Sequence, residues 1–212
     1  LESTHPLYDS LRNEWLFHVR SYFGGKMYKE GNYLLQHPFE SSANYGRRKA
    51  TSYYYNYCGP VVDIFVSHLF RKDAVREYGS LSGDSLFRLF LMDADLEGNT
   101  FSHFMRDAQR FASIYGRVSI MVDKPQALPV TRAEAEEYGI RPYVSLVTPE
   151  NLLDWSFARL PYSGRVVLDS VKVKEAPDTY RIWNRDGWEL WQAVNGTGEI
   201  RLTDAGWHGL GE

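Results

Sequence analysis

The sequence predicts an α+β fold in which helices come first and an antiparallel sheet follows. Apolar residues recur at three- and four-residue spacing over most of the first 115 residues, which is the helical period. From Trp155 the apolar period changes to two, and short runs alternate with turns. Hydrophobic residues make up 43% of the 212 residues and the net charge is only −3. This composition allows a buried core and excludes a chain that is disordered over its whole length.

The first half of the chain is predicted to be helical. An opening helix is expected to end at Gly24-Gly25, and Ser41 can cap the helix that follows a polar loop. From Asn44 to Lys72 the helical period continues across Pro60, which lacks a backbone donor and disfavours the interior of a helix. We therefore expect a long helix with a kink here, or two helices in series, and the kinked long helix is the form assigned to the fold.

Residues 99–115 carry the clearest helical pattern. One face of this segment is apolar, Asn99 or Thr100 can cap its start, and Gly116 can end it. After it the sequence predicts a strand, a short helix that begins at a threonine cap, and a second strand. These three elements are Arg117 to Val122, Thr131 to Tyr138, and Pro142 to Val147.

The tail of the chain is predicted to be an antiparallel sheet. Asp186-Gly187 and Asn195-Gly196 are typical hairpin turns, whose two central residues both adopt positive φ. The chain is divided into a helical part that ends in a strand, residues 1–122, and a strand-rich part, residues 123–212. No flexible linker separates them, so we expect the two parts to pack together.

The motifs of common enzymes and cofactor proteins are absent from the sequence. The single cysteine, Cys58, allows neither a disulfide framework nor a redox Cys-x-x-Cys pair. No two histidines stand three or four residues apart, and there is no Gly-x-Ser-x-Gly or Walker A motif. No run of eighteen apolar residues predicts a membrane span. We therefore expect no catalytic residue, no cofactor, no metal and no membrane partner.

Acidic and aromatic clusters leave one enzymatic alternative open. The segment Asp93 to Gly98 matches the first half of a calcium loop, but the twelfth position is Phe104 instead of the bidentate glutamate. Tryptophans on a sheet face can stack sugars, although at strand spacing they more often belong to a core. The alternative is a carbohydrate-active enzyme with two carboxyl groups about 5–9 Å apart across a cleft. Its candidate residues are Asp93, Asp95 and Asp123 as carboxylates and Trp183, Trp188 and Trp191 as a platform.

The densest basic cluster is Arg47-Arg48-Lys49. Three cations on one helix turn are most often a solvated surface, and the alternative is a contact with phosphate or with a neighbouring chain. Neither half of the chain is basic enough to indicate an independent nucleic-acid-binding protein.

Four stretches, in chain order, carry a resemblance to a known family. They are Tyr45 to Ala50 (YGRRKA) with the basic turn Leu69-Phe70-Arg71-Lys72; Asp95 to Asp123, with its Tyr115-Gly116 junction between helix and strand; Arg141-Pro142-Tyr143 with Thr148 to Trp155; and Tyr180, Trp183, Trp188 and Trp191 with Trp207 to Gly211. Together they resemble bacteriophage portal proteins, which form the ring at a capsid vertex through which DNA enters and leaves. The resemblance extends from about residue 41 to the end of the chain.

The resemblance implies a mechanical function without bond chemistry. Subunits would form a homo-oligomeric ring, dodecameric in the family, in the virion after assembly in the host cytoplasm. Its partners would be the major capsid or scaffolding protein, the terminase, a tail adaptor protein, and double-stranded DNA in the channel. The chain would be the N-terminal, wing-side part, with stem, tunnel loop and clip beyond its end. A nearly neutral net charge agrees with a channel through which DNA must slide. Each contact between a cation and a phosphate would add salt-dependent affinity for the DNA.

The portal resemblance also implies contacts between subunits. Arg47, Arg48, Arg71 and Lys72 are the candidate inter-subunit contacts, and reversing their charges should weaken ring assembly. A third interpretation is another virion or adaptor protein with a similar helix-plus-sheet region, which the oligomeric state would distinguish from a portal.

Overall fold

A computed structural model describes residues 3–125, 131–194 and 199–208, and in these ranges the chain is α+β, as predicted. The helices are α1 (Pro6–Phe23), α2 (Gly25–Glu30), α3 (Ser42–Thr51), α4 (Cys58–Leu69), α5 (Ser85–Met92), α6 (Phe101–Tyr115) and α7 (Arg132–Tyr138), and a 3-10 helix, Gly79–Gly83, precedes α5. The strands are β1 (Ser119–Asp123), β2 (Tyr143–Val147), β3 (Leu152–Arg159), β4 (Val166–Ala176), β5 (Thr179–Asn184), β6 (Gly187–Ala193) and β7 (Ile200–Trp207).

Several helix boundaries follow from local capping signals. Helix α1 ends at Gly24, which has a φ of 65°. Helix α6 begins after Thr100, whose side chain accepts the His103 amide, and ends at Gly116 in the left-handed region. Thr131 and Glu134 form a reciprocal capping box at the start of α7. The predictions for these boundaries are confirmed.

The prediction of one long kinked helix between residues 44 and 72 is wrong. Helices α3 and α4 are separate, and residues 52–57 between them are not helical. The break therefore precedes Pro60 instead of falling at it. Pro60 is the third residue of α4, where its missing N–H has no intrahelical partner to lose. The second expectation, two helices in series, is the one that the structure confirms.

The strands form two antiparallel sheets. Strands β1 and β2 form a two-stranded pair, although helix α7 lies between them in the chain, and β3 to β7 form a five-stranded meander in which sequence neighbours pair. The predicted antiparallel tail is therefore confirmed. Strand β1 extends one residue past the predicted boundary at 122 and pairs with β2, which belongs to the predicted second part. The division into residues 1–122 and 123–212 stays a prediction.

Strands β5 and β6 form the predicted hairpin, but its turn does not use the predicted positive φ at Asp186 and Gly187. Gly187 belongs to β6 and is not among the residues with positive φ. A Cβ at this position would lie 2.2 Å from the backbone oxygen of Gly206 on β7. Glycine is therefore required because two strands approach closely. The other predicted turn, Asn195-Gly196, lies outside the described residues.

The main core joins the helices to the larger sheet. Buried residues of α1, α6 and β3 pack together in it: Tyr8, Trp15, Val19, Ile114, Tyr115 and Leu153. At its edge the Arg117 guanidinium lies 4.8 Å from the ring of Trp15 and 5.4 Å from that of Trp155. These cation–π contacts connect α1 to β3.

Candidate interaction surface

Helix α4 is held against α1 and α6 by its inward face. Asp63 accepts a hydrogen bond from the Tyr22 hydroxyl at 2.8 Å and lies 3.4 Å from Arg110 Nε. Val66 is almost fully buried on the same side. A Cβ at Gly59 would lie 2.9 Å from the Tyr22 carbonyl oxygen, so the helix packs tightly on α1. Contacts from both neighbouring helices thus fix the orientation of α4.

The outward face of α4 is also apolar, although it is exposed. Its large side chains are between 53% and 73% exposed and follow one another at spacings of one, three or four residues, so they form one continuous stripe. We define the α4 stripe as Tyr57, Val61, Ile64, Phe65 and Leu69. Contiguous exposed apolar patches are common at interaction sites, so the α4 stripe is a candidate interaction surface.

A second exposed apolar patch lies on the first hairpin of the five-stranded sheet. Phe157 of β3 stands directly opposite Leu168 of β4, and Val166 follows two residues away on the same face of β4. The three side chains are between 51% and 63% exposed. We define Phe157, Val166 and Leu168 as the hairpin patch.

The accessible surface is large for a chain of this mass. It measures 14611 Å². A compact monomer of 24.5 kDa is expected to expose about 10,000 Å². The excess is on the order of 4,500 Å², several times the roughly 800 Å² that each partner buries in a standard interface. The chain therefore exposes more surface than a compact monomer of its mass would.

The four predicted contact residues differ in their surroundings. Arg48 is paired with Glu40 through two hydrogen bonds of 2.9 and 2.7 Å, and it also donates to the Leu35 carbonyl oxygen. The hydrogen bonds from Arg48 hold the pKa of the Glu40 carboxyl below its usual value. Arg48 thus fixes the loop before α3. A second role between subunits stays a prediction.

The other three cations are exposed. Arg47 donates to the Asn44 side chain at 2.6 Å. Arg71 and Lys72 follow the end of α4, next to the α4 stripe, and within the described part of the chain they form no ion pair. Their contact with a neighbouring subunit also stays a prediction, and their position at the rim of an exposed apolar surface makes them the better placed pair.

The acidic loop before α6 is closed by its own hydrogen bonds. Asp93 accepts from the Gly98 amide at 2.8 Å and pairs with the buried Arg141 at 2.9 Å. Asp95 accepts from the amides of Glu97 and Asn99 and from the Asn99 side chain. Burial would raise the pKa of Asp95, but these hydrogen bonds together lower it. Among the described residues no acidic, histidine or cysteine cluster could hold a metal ion.

Asp123 and Trp183 line one cavity of about 230 Å³ between the β1–β2 pair and the larger sheet. Asp123 is buried and accepts from the Tyr143 hydroxyl at 2.9 Å. The other carboxylate in the wall, Glu175, is paired with Arg181. Neither Asp93 nor Asp95 lines this cavity. The structure thus brings together one of the three candidate aspartates and one of the three tryptophans.

The tryptophan cluster is divided between contacts within the protein. The Arg181 guanidinium lies 4.4 Å from the Trp188 ring and 5.6 Å from that of Trp183, and the His208 ring stacks on Trp183. Trp191 donates to Glu189. The rings of Trp183 and Trp188 already contact Arg181 or His208 and so offer less surface to a sugar, which favours a structural role for these two tryptophans.

The Tyr143–Asp123 contact predicts an alkaline titration. Burial, together with the hydrogen bond to Asp123, raises the pKa of Tyr143 to about 12. Because the folded state favours the neutral phenol, its stabilising contribution is complete below the unfolded pKa near 10 and is lost as pH rises toward 12. In a tyrosinate absorbance titration, Tyr143→Phe should remove one group that titrates near pH 12. A variant with the same amplitude as the wild type in this range would contradict the assignment.

No protein-family model matches the chain, and no curated protein matches it either. Within the described residues no helix has the length and apolar character needed to cross a bilayer.

Sequence reasoning did not assign the α4 stripe. The signal was present, because the apolar residues of this helix cover its inward and its outward side. A helix that is apolar on all sides is normally buried. Here the outward side of the helix is exposed.

Proposed function

We propose that the chain is a subunit of a portal-type ring at the vertex of a viral capsid. The observation that carries the proposal is the excess accessible surface of about 4,500 Å² over a compact monomer of 24.5 kDa. Each subunit of a ring has two neighbours, so it must bury two surfaces that remain open in the isolated chain. The resemblance of four sequence stretches to portal proteins supplies the kind of ring.

In this proposal the protein performs no bond chemistry. The ring acts in the virion as a passage for double-stranded DNA and as an attachment site for the terminase and then a tail adaptor, and a capsid or scaffolding protein surrounds it. The acidic loop, bound by its own amides and Arg141, agrees with this view because it retains few free ligand positions. A sequence net charge of −3 agrees with a channel wall that does not hold phosphate strongly.

The carbohydrate-active alternative has weaker support. It needs two carboxyl groups that face each other across a cleft. The cavity that contains Asp123 has Glu175 as its other acidic residue, and Glu175 is held by Arg181. Another virion adaptor protein fits the excess surface equally well, and the number of subunits distinguishes it from a portal.

The test is the mass and symmetry of the intact gene product, measured by native mass spectrometry and particle imaging. We expect a closed ring with a central hole, because heterologous contacts that close produce cyclic assemblies. The portal resemblance implies about a dozen copies. A stable monomer or dimer at micromolar concentration would overturn the proposal.

A further inference from the structure

A cavity of about 140 Å³ lies where α2, the loop after it and the end of α3 meet. Its wall contains four tyrosines and two lysines, which are Tyr28, Tyr33, Tyr53, Tyr54, Lys29 and Lys49. Among the residues that the structure describes, no aspartate or glutamate lines this cavity. The wall therefore combines aromatic rings with positive charge and contains no carboxylate to neutralise it.

Both lysines of the cavity are half-buried and are held by neutral oxygens. Lys29 Nζ donates to the Ala50 carbonyl oxygen at 3.1 Å, and Lys49 Nζ donates to the Asn32 side-chain oxygen. An ammonium group can donate three hydrogen bonds, so each lysine keeps donors for a ligand. These contacts also place the two lysines in the wall, because they connect α2 and its following loop to α3.

The acidic residues of this region have other cationic partners. Glu30 lies 3.7 Å from Lys26, and Glu40 lies 2.7 Å from Arg48. In the described part of the chain, neither lysine of the cavity forms an ion pair. Two positive groups in one half-buried wall repel each other, and a bound anion would remove this cost. The electrostatics of the cavity therefore favour an anionic ligand.

The tyrosines supply aromatic surface beside the two cations. The Tyr54 hydroxyl donates to the Ser21 carbonyl oxygen at 3.1 Å, and the Tyr54 ring stacks on Tyr28 with centroids 3.8 Å apart. The ring of Tyr33 lies 5.0 Å from that of Tyr28. Tyr54 is thus held inward, whereas Tyr53 is 77% exposed and borders the same cavity. Tyr53 therefore offers an open ring next to the anion site.

We propose that this cavity binds one nucleotide unit, with the phosphate at Lys29 and Lys49 and the base stacked on Tyr53. A cavity of about 150 Å³ holds a single benzene ring, so the volume fits one small group such as a phosphate and leaves the base on the exposed ring. Ammonium groups bind phosphate oxygens through charge-assisted hydrogen bonds, and bases stack on aromatic side chains. An acidic peptide would supply the anion but no planar ring.

The site lies within one chain, so the inference does not depend on the ring proposed above. The net charge of −3 over the whole chain does not oppose it, because exposed charges more than about 10 Å apart are largely screened at 0.1 M salt. A free nucleotide and a nucleotide within a single strand present the same phosphate and base. The proposal names this shared chemistry, and the experiment distinguishes the two sources.

Isothermal titration calorimetry of the intact protein compares thymidine monophosphate with its two parts. Thymidine lacks the phosphate, and inorganic phosphate lacks the base. We expect each part to bind at least about tenfold more weakly than thymidine monophosphate, since each makes only one of the two contacts. Equal affinity for inorganic phosphate and thymidine monophosphate would overturn the stacking contact and leave an anion site only.

Two variants test the two contacts separately. The double variant Lys29→Gln/Lys49→Gln should bind thymidine monophosphate at least about tenfold more weakly. Tyr53→Ala should lose about tenfold in affinity for thymidine monophosphate and keep the wild-type affinity for inorganic phosphate. Lys26→Gln on α2 and Tyr138→Ala on α7 change exposed side chains outside the cavity and are the matched controls. Circular dichroism checks the fold of each variant.

Two further probes identify the source of the nucleotide. A fluorescent ten-residue oligothymidylate that binds more tightly than thymidine monophosphate, and is displaced by it, would assign the site to a single strand. Equal affinity would assign it to a free nucleotide. An aspartate-rich peptide that competes as well as thymidine monophosphate would overturn the proposal.

The nucleotide site is overturned as well if the double lysine variant or Tyr53→Ala binds thymidine monophosphate like the wild type. A loss in Lys26→Gln as large as that in the double variant would have the same meaning, because the effect would then be one of overall charge. The ring and the nucleotide site fail separately. A monomeric chain that binds thymidine monophosphate overturns the ring alone, whereas a ring that does not bind it overturns the nucleotide site alone.

Discussion

Replacing Phe104 by Ala is expected to lower the free energy of unfolding by about 3–5 kcal/mol. Phe104 lies on α6 with 6% of its surface exposed, and it packs with Ala94 and Val144, which are also buried. The three residues join α6 to the acidic loop and to β2. Truncation to Ala would leave a cavity among elements that are held in place on several sides, so the surroundings can collapse only partly. Urea unfolding followed by circular dichroism measures the change.

The matched control for this variant is Met92→Ala at the end of α5. Met92 is exposed, so its truncation should change the free energy of unfolding by less than about 0.5 kcal/mol. A loss of under about 1 kcal/mol for Phe104→Ala would contradict the burial of α6. The same result would also weaken the role of this helix as the support of α4.

Local signals made some elements predictable almost to the residue. Helix α6 has a clear apolar period, a threonine cap and a glycine stop, and each of these acts within a few residues. The break between α3 and α4 has a different origin. The Tyr54 hydroxyl donates to the Ser21 carbonyl oxygen at 3.1 Å, and the Asn56 amide donates to that of Tyr22 at 2.6 Å. These partners lie more than thirty positions earlier in the sequence, so no periodicity could reveal them.

The candidate contact residues show a similar limit. The sequence identifies Arg48 as part of a dense cationic cluster, but it does not show that Glu40 and the Leu35 carbonyl oxygen bind its guanidinium. The apolar residues on both sides of α4 were visible in the sequence as well. Only the structure shows that one side packs on α1 and α6 while the other remains exposed. Sequence patterns report which residues are apolar or charged, and packing decides which of them remain available.

The acidic loop shows how a motif can be structural instead of functional. Its aspartates match the start of a calcium loop, yet their oxygens are bound by amides of the same loop and by Arg141. Arg141 is buried and also donates to the Asp93 carbonyl oxygen at 2.7 Å. The Ala94 amide donates to the Asn99 carbonyl oxygen across the loop. The Asp93 carboxylate therefore accepts hydrogen bonds both from the Gly98 amide of the loop and from the buried Arg141 guanidinium.

Replacing Asp93 by Ala should consequently cost about 2–3 kcal/mol of unfolding free energy, because the Arg141 charge would remain buried without its carboxylate. This value lies below the roughly 3–5 kcal/mol of a fully buried pair because the Asp93 side chain is 33% exposed. Asp73→Ala, at an exposed carboxylate after α4, should change the stability by less than about 0.5 kcal/mol.

A double-mutant cycle with Arg141→Met tests the pairing directly. If Asp93 acts through Arg141, the double variant should lose less stability than the sum of the two single variants, since removing both charges leaves no unpaired ion. Additive losses would show that the two side chains act independently. Addition of calcium should not raise the melting temperature of the wild type, because the aspartate oxygens already bind amides and Arg141; a calcium-dependent increase would restore the metal interpretation of this loop.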